Sequence, residues 1–129
     1  MEKINLSDGE WIIMKRLWTK APRTIRELVK DLENDTGWTK ATVFVMLKRL
    51  IGKNAVRMEE DGRYQRYYPV LERKEAADEE TDSFLSRVYN GSVSMMVSSM
   101  AGRIGLSQEE IDALRRILDE AEAKGGGVQ

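Results

Sequence analysis

The residues from 38 to 69 leave this chain few choices. Val43, Met46, Leu47 and Leu50 recur at i, i+3, i+4 and i+7, the period of a helix with one apolar stripe, and Thr39 stands where an N-cap belongs. Gly52 is expected to end that helix as a left-handed residue past its last turn. Residues 55–59 and 63–69 then read as two strands around an Asp61-Gly62 turn. Val56, Met58, Tyr64 and Tyr67 are expected inside, with Arg57, Arg63 and Arg66 outside. A helix this short, leading straight into a hairpin, needs other helices to cover its stripe.

Those helices come first in the chain. Ser7 with Glu10 has the capping-box spacing, and Trp11, Met14, Leu17 and Trp18 form a wide stripe behind it. Pro22 breaks this helix. Thr24 with Glu27 repeats the box ahead of Ile25, Leu28, Val29 and Leu32, which predicts a second helix of roughly ten residues with Arg26 and Lys30 on its outer side. Residues 34–37 are a turn, and Trp38 is a hydrophobic staple before the third helix. Three helices followed by a hairpin are the order of a winged helix, with helices two and three as its helix-turn-helix pair.

Charge agrees with a nucleic-acid partner. The formal net charge of −1 conceals fourteen Lys and Arg against ten Asp and Glu over residues 1–71, and seven against twelve over 72–129. Between Trp38 and Tyr68 seven basic residues face three acidic ones, Glu59, Glu60 and Asp61, which are adjacent at the hairpin tip. Lys and Arg contacts to phosphate supply most sequence-independent affinity for DNA. A solvated, Lys-rich helical surface would look the same by charge alone.

The first two turns of the third helix are therefore the candidate base-reading residues: Thr39, Lys40, Ala41, Thr42, Phe44 and Val45. Lys40 is otherwise a solvated surface charge, and Thr42 a capping or back-bonded hydroxyl. Phe44 would pack on deoxyribose or a thymine methyl if exposed; an aromatic on a short helix is more often core, and core is the favoured reading. Lys48 and Arg49 lie on the outer face. Arg63 at the wing tip is the natural minor-groove or phosphate contact, or else a solvated turn charge, with Tyr64, Arg66 and Tyr68 as weaker candidates.

After Pro69 the composition shifts to Glu, Asp and Ala, which places a boundary near Leu71 between a winged-helix domain, 1–71, and a helical domain, 72–129. Residues 72–89 read as a helix whose second half is apolar at Phe84, Leu85, Val88 and Tyr89 and which Asn90-Gly91 ends. The next helix is Met-rich, and Val93, Met95, Met96, Val97 and Met100 leave it little polar face, so it has to be buried against something. Ser107 with Glu110 is a third capping box, and Ile111, Leu114, Ile117 and Leu118 give the last helix its stripe. Three such helices hardly close a core alone. Burial against a second copy is expected, with Phe84, Leu85, Val88, Val93, Met96, Val97, Met100, Ile111, Leu114, Ile117 and Leu118 at the dimer interface. Residues 125–129 should be frayed.

The chain has no cysteine and no histidine, so disulfides, thiolate nucleophiles, imidazole bases and the usual zinc and haem ligands are excluded together. The carboxylates at 78–82 splay around a helix, and no glycine-rich phosphate loop is present. Neither an enzyme nor a cofactor is expected. No apolar run reaches bilayer length and residues 1–20 lack a signal-peptide core, so no membrane contact and a cytoplasmic location are expected.

These residues together resemble the bacterial penicillinase-repressor group (BlaI/MecI/CopY type) of winged-helix regulators. The carriers are Leu6-Ser7 to Glu10-Trp11 with Met14 and Leu17-Trp18, Thr24 to Glu27-Leu28, and Trp38-Thr39 with Thr42-Val43, Leu47 and Arg49-Leu50. Tyr64 to Tyr68-Pro69, Phe84-Leu85 to Tyr89-Asn90-Gly91, and Leu106-Ser107 to Glu109-Glu110-Ile111 with Leu114 continue the match. The resemblance implies a homodimer that binds a palindromic double-stranded DNA operator through its winged helices and blocks transcription. Members that respond to β-lactams are cleaved at an Asn-Phe bond after a signal from a membrane sensor protease; Ser99-Met100 stands there in this chain, so the motif is not kept and an inducing protease stays open as a partner. Copper-responsive relatives carry a cysteine cluster, which this chain lacks. Many relatives have Thr at the position of Val45 and a polar or basic residue at that of Phe44, so their operators do not transfer. Two other readings remain: a winged helix used for protein–protein contact, and a ligand-sensing regulator with its effector between the helices of a dimer.

Overall fold

The computed structural model describes residues 3–125. The expected fold class holds: mainly α, with the winged-helix order of helices and hairpin. The elements run α1 (Asp8–Thr19), α2 (Ile25–Asp31), α3 (Lys40–Gly52), β1 (Val56–Asp61), β2 (Tyr64–Pro69), α4 (Arg73–Tyr89), α5 (Val93–Arg103) and α6 (Gln108–Gly125). Residues 126–129, most of the stretch expected to fray, lie outside the described residues.

Local chemistry starts the helices. Ser7 Oγ accepts from Glu10 N–H (3.2 Å) while Glu10 returns a carboxylate oxygen to Ser7 N–H (2.8 Å), and Thr24 with Glu27 repeats the pair at the same distances. α2 is seven residues, shorter than expected, because Leu32 turns the chain: its carbonyl accepts from Asp35, Thr36 and Gly37, and Gly37 sits at φ 64°. α3 also ends differently from the sequence reading. Gly52 stays helical, and the left-handed residue is Asn54 at φ 65°, from which Ala55 N–H returns to Leu50 C=O at 2.9 Å.

The core lies where α1, α2, α3 and the base of the hairpin meet. Ile13, Met14, Leu17, Leu28, Leu32, Val43, Leu47 and Leu50 are fully or almost fully buried, and Ala55, Val56, Tyr67, Leu71 and Ala76 close it below. α1 and α3 approach closely at Gly9, where a Cβ would stand 3.1 Å from Met46 Cε and 3.3 Å from Trp38 Cη2. Trp38 is partly buried against the core.

The hairpin is antiparallel, with Val56 opposite Pro69, Met58 opposite Tyr67 and Asp61 opposite Tyr64. The turn is therefore Gly62-Arg63, one residue later than expected. Arg23 adds a bridge that periodicity could not show: its N–H and C=O exchange hydrogen bonds with Tyr67 at 3.2 and 2.8 Å. Val56 and Tyr67 are buried as expected, but Met58 is 37% and Tyr64 60% exposed. Tyr64 and Tyr67 are three apart on one strand, so alternation puts them on opposite faces; Met58 shares the inner face but lies farther out, where the wing leaves the core.

The expected boundary at Leu71 also moves. Contacts divide the chain into a unit ending at Ser83 and a unit starting at Phe84, within α4. The reason is packing: Leu71 and Ala76 belong to the winged-helix core, and Trp18 Nε1 donates to Leu71 C=O at 2.9 Å. In the second unit, Asn90 (φ 52°) and Gly91 (φ 85°) end α4, and Ser92 and Ser107 Oγ accept from Met95 and Glu110 N–H. No residue of α5 or α6 is buried.

Candidate nucleic-acid interface

The helices α1, α2 and α3 start differently. α1 carries Asp8 and Glu10 in its first turn and α2 carries Glu27, whereas α3 has no acidic residue there. Its cap is Thr39, whose Oγ1 accepts from Thr42 N–H at 3.2 Å; Thr42 occupies the position that Glu holds in the other two boxes. The two threonine hydroxyls lie 3.2 Å apart, so Thr42 contacts the cap residue without completing a capping box. A helix N-terminus with its positive dipole end uncompensated, and Lys40 beside it, favours anions.

That turn opens onto an open depression of ≈ 270 Å³ lined by Thr24, Ile25, Arg26, Lys40, Arg63, Tyr64 and Gln65. Two sequence-predicted residues from distant segments, Lys40 and Arg63, thus share one groove. Arg26 was not among the candidates and stands there too, also lining a neighbouring hollow with Val29 and Lys40. The signal for it was its place on the outer side of α2; what hid it was that only the fold puts α2 beside the wing. Arg26, Lys40 and Arg63 form no ion pair among the described residues.

The other two wing arginines are paired within the hairpin. Arg66 Nε donates to Asp61 Oδ2 at 2.9 Å and its guanidinium sits 5.7 Å from the Tyr64 ring; Arg57 pairs with Glu59 and stacks 4.1 Å from the Tyr68 ring. Two of the three acidic residues near the tip are thereby matched by arginines.

The outer face of α3 holds the main surprise. Phe44 is 43% and Val45 44% exposed, against the core position favoured for Phe44. Helical phase decides this: the buried residues 43, 47 and 50 take the inward side, and residue 44 shares a row with Lys40 and Lys48. Lys48 Nζ lies 5.7 Å from the Phe44 ring centroid, and Ala41 and Arg49 are exposed.

Behind the site, Asp31 ties α1 to α2. Arg23 Nη1 donates to it at 2.6 Å and Arg16 Nη1 at 2.9 Å, and Arg16 reaches Asp35 as well. Lys53, just past α3, donates to the buried Glu10 (2.5 Å) and to Asn5 C=O (2.6 Å), pinning the far end of α3 to the start of α1.

The residues expected at a dimer interface sit on the second unit. Leu85, Met96, Val97, Ile111 and Leu114 are half-buried; Phe84, Val88, Val93, Met100, Ile117 and Leu118 are exposed. No helix among the described residues is long and apolar enough to cross a membrane.

A helix-turn-helix with a β-wing and a cationic groove between them defines a winged-helix protein of the DNA-binding type. The chain belongs to the penicillinase repressor family, whose model matches residues 6–120. It is 36% identical over 121 residues to the penicillinase repressor of Bacillus licheniformis, covering 93% of this chain and 94% of that one. It is 35% identical over 123 residues to the transcriptional regulator BlaI of Mycobacterium tuberculosis, covering 94% and 88%. Among solved structures it matches the monomeric form of Bacillus licheniformis BlaI in complex with the blaP half-operator, with a TM-score of 0.51 and 33% identity over 58% of this chain and 93% of that one.

Proposed function

We propose that this protein is a transcriptional repressor that binds a palindromic operator as a homodimer, lays α3 of each copy in a major groove, and blocks transcription by occupying the promoter. The observation that carries the reading is the acid-free first turn of α3 opening, with Lys40, onto the groove it shares with Arg26 and Arg63. Family membership supports the same reading. In it Lys40, Arg63 and Arg26 contact phosphate or guanine, Lys48 and Arg49 flank the groove, and Arg66 holds the wing through Asp61. The apolar faces of the second unit are the dimer interface.

The exposed Phe44 and Val45 favour one rival, a winged helix that docks a protein. A mobility shift with footprinting on the DNA upstream of the protein's own gene, at several salt concentrations, separates the two. A protected inverted repeat, weakening steeply with salt and lost in a Lys40→Ala, Thr42→Ala variant, is expected. No preference over competitor DNA would leave the operator reading without support.

A further inference from the structure

We infer that α3 reads thymines in the operator by their 5-methyl groups, through an apolar patch made of Ala41, Phe44 and Val45. The inference rests on α3 being the DNA-reading helix and names what it reads.

Residues 41, 44, 45 and 48 follow the i, i+3, i+4, i+7 spacing and so share one face, opposite the buried side at 43, 47 and 50. The centre of the outward face is thus apolar, with Phe44 43% and Val45 44% exposed and Ala41 exposed in the turn before. Cations border it: Lys40 toward the groove with Arg26 and Arg63, Lys48 one turn on, Arg49 on the other flank. An apolar patch bordered by unpaired cations fits a polyanion whose contacted surface is apolar at points. The major groove of DNA offers one such group, the thymine methyl.

The composition of α3 points the same way. Lys40–Gly52 holds no Asn, Gln, Asp or Glu. Amides are the side chains that pair with adenine in two hydrogen bonds, and carboxylates those that accept from cytosine. What remains for direct readout is Lys or Arg on guanine, the Thr42 hydroxyl, and apolar contact. Lys48 Nζ, 5.7 Å from the Phe44 ring centroid, can reach toward a phosphate while the ring covers a methyl.

The test begins with duplexes selected from a random pool by the full-length protein. The preferred duplex is resynthesised with deoxyuridine replacing each half-site thymine in turn, which removes a methyl group and leaves base pairing and charge unchanged. Binding is measured at one salt concentration for the wild type, for Phe44→Ala with Val45→Ala, and for Lys40→Ala. At two or more positions per half-site the wild type should lose about fourfold per methyl, the factor that burying one such group supplies. The Phe44→Ala, Val45→Ala protein should bind the thymine and deoxyuridine duplexes alike, whereas Lys40→Ala should bind both more weakly and keep their ratio. The wild-type comparison stands without any variant. If the selected duplex binds equally well with every thymine replaced, methyl reading is overturned while operator binding stands. If no sequence emerges from the pool, both fall, and the patch is left to a protein partner.

Discussion

Glu10 joins two parts of the chain through one carboxylate. It caps α1 by accepting from Ser7 N–H, and it accepts from Lys53 Nζ at 2.5 Å while almost fully buried. Burial pushes its carboxyl up, but the Lys53 ammonium and the Ser7 donors outweigh that and hold it below the ordinary 4.5. Arg23 first, and Arg16 with it, holds Asp31 below 3.8; the Thr24 N–H holds Glu27 below 4.5. In each case the unfolded chain takes up protons at a higher pH than the folded one. Their contribution to stability is therefore fully present above about pH 5 and is lost as pH falls through the depressed values. Lys53→Met should cost about 2 kcal/mol at neutral pH, because it strands a buried carboxylate. The gap from wild type should shrink in acid, at a pH below the lowered Glu10 value, where the carboxyl is protonated in both proteins. Denaturant titrations at the two pH values check this, and an unchanged gap would mean that Lys53 contributes by packing alone.

At the scale of elements, α3 differs from α1 and α2 by one residue of its capping box. Thr42 stands where Glu10 and Glu27 stand in the other two helices. Thr42→Glu would complete the box and place a carboxylate at the positive end of the helix, which should stabilise the fold by about 0.5 kcal/mol. The same carboxylate would face phosphate beside Lys40, so DNA affinity should fall by about tenfold or more. Stability and binding moving in opposite directions, followed by thermal melting and mobility shift, would mark the first turn of α3 as functional surface. Unchanged affinity would place the DNA elsewhere.

At the scale of the molecule, the second unit presents apolar side chains without burying them. Ile117 is 58% and Leu118 66% exposed, and Val93 and Met95 more than half. Exposed apolar faces on consecutive helices are what an interface leaves when one copy stands alone. Leu118→Glu is expected to turn a dimer into a monomer in sedimentation equilibrium. Affinity for a full palindrome should then fall about 10²- to 10⁴-fold through lost avidity, with affinity for a single half-site unchanged. A Leu118→Glu protein that stays dimeric would move the interface off this face of α6.

Much of this was legible in the chain, because it depends on near neighbours. The capping boxes at Ser7 and Thr24, the Thr39 cap, the stripe of α3 and the turn at Asn90-Gly91 are contacts within about one helical turn, and spacing encodes them. The family resemblance rested on the same local signals and was correct. The exposure of Phe44 was legible in the same way, since the stripe at Val43, Leu47 and Leu50 turns residue 44 outward; the general preference for burying aromatics pointed the wrong way. The sequence alone could not pair Arg23 with Tyr67, set Arg26 beside Arg63, join Lys53 to Glu10, or carry Ala76 into the core of the first unit. Each of these brings together residues from separate elements, or from far along the chain. Only tertiary packing, which chooses the element that covers each surface, could decide them.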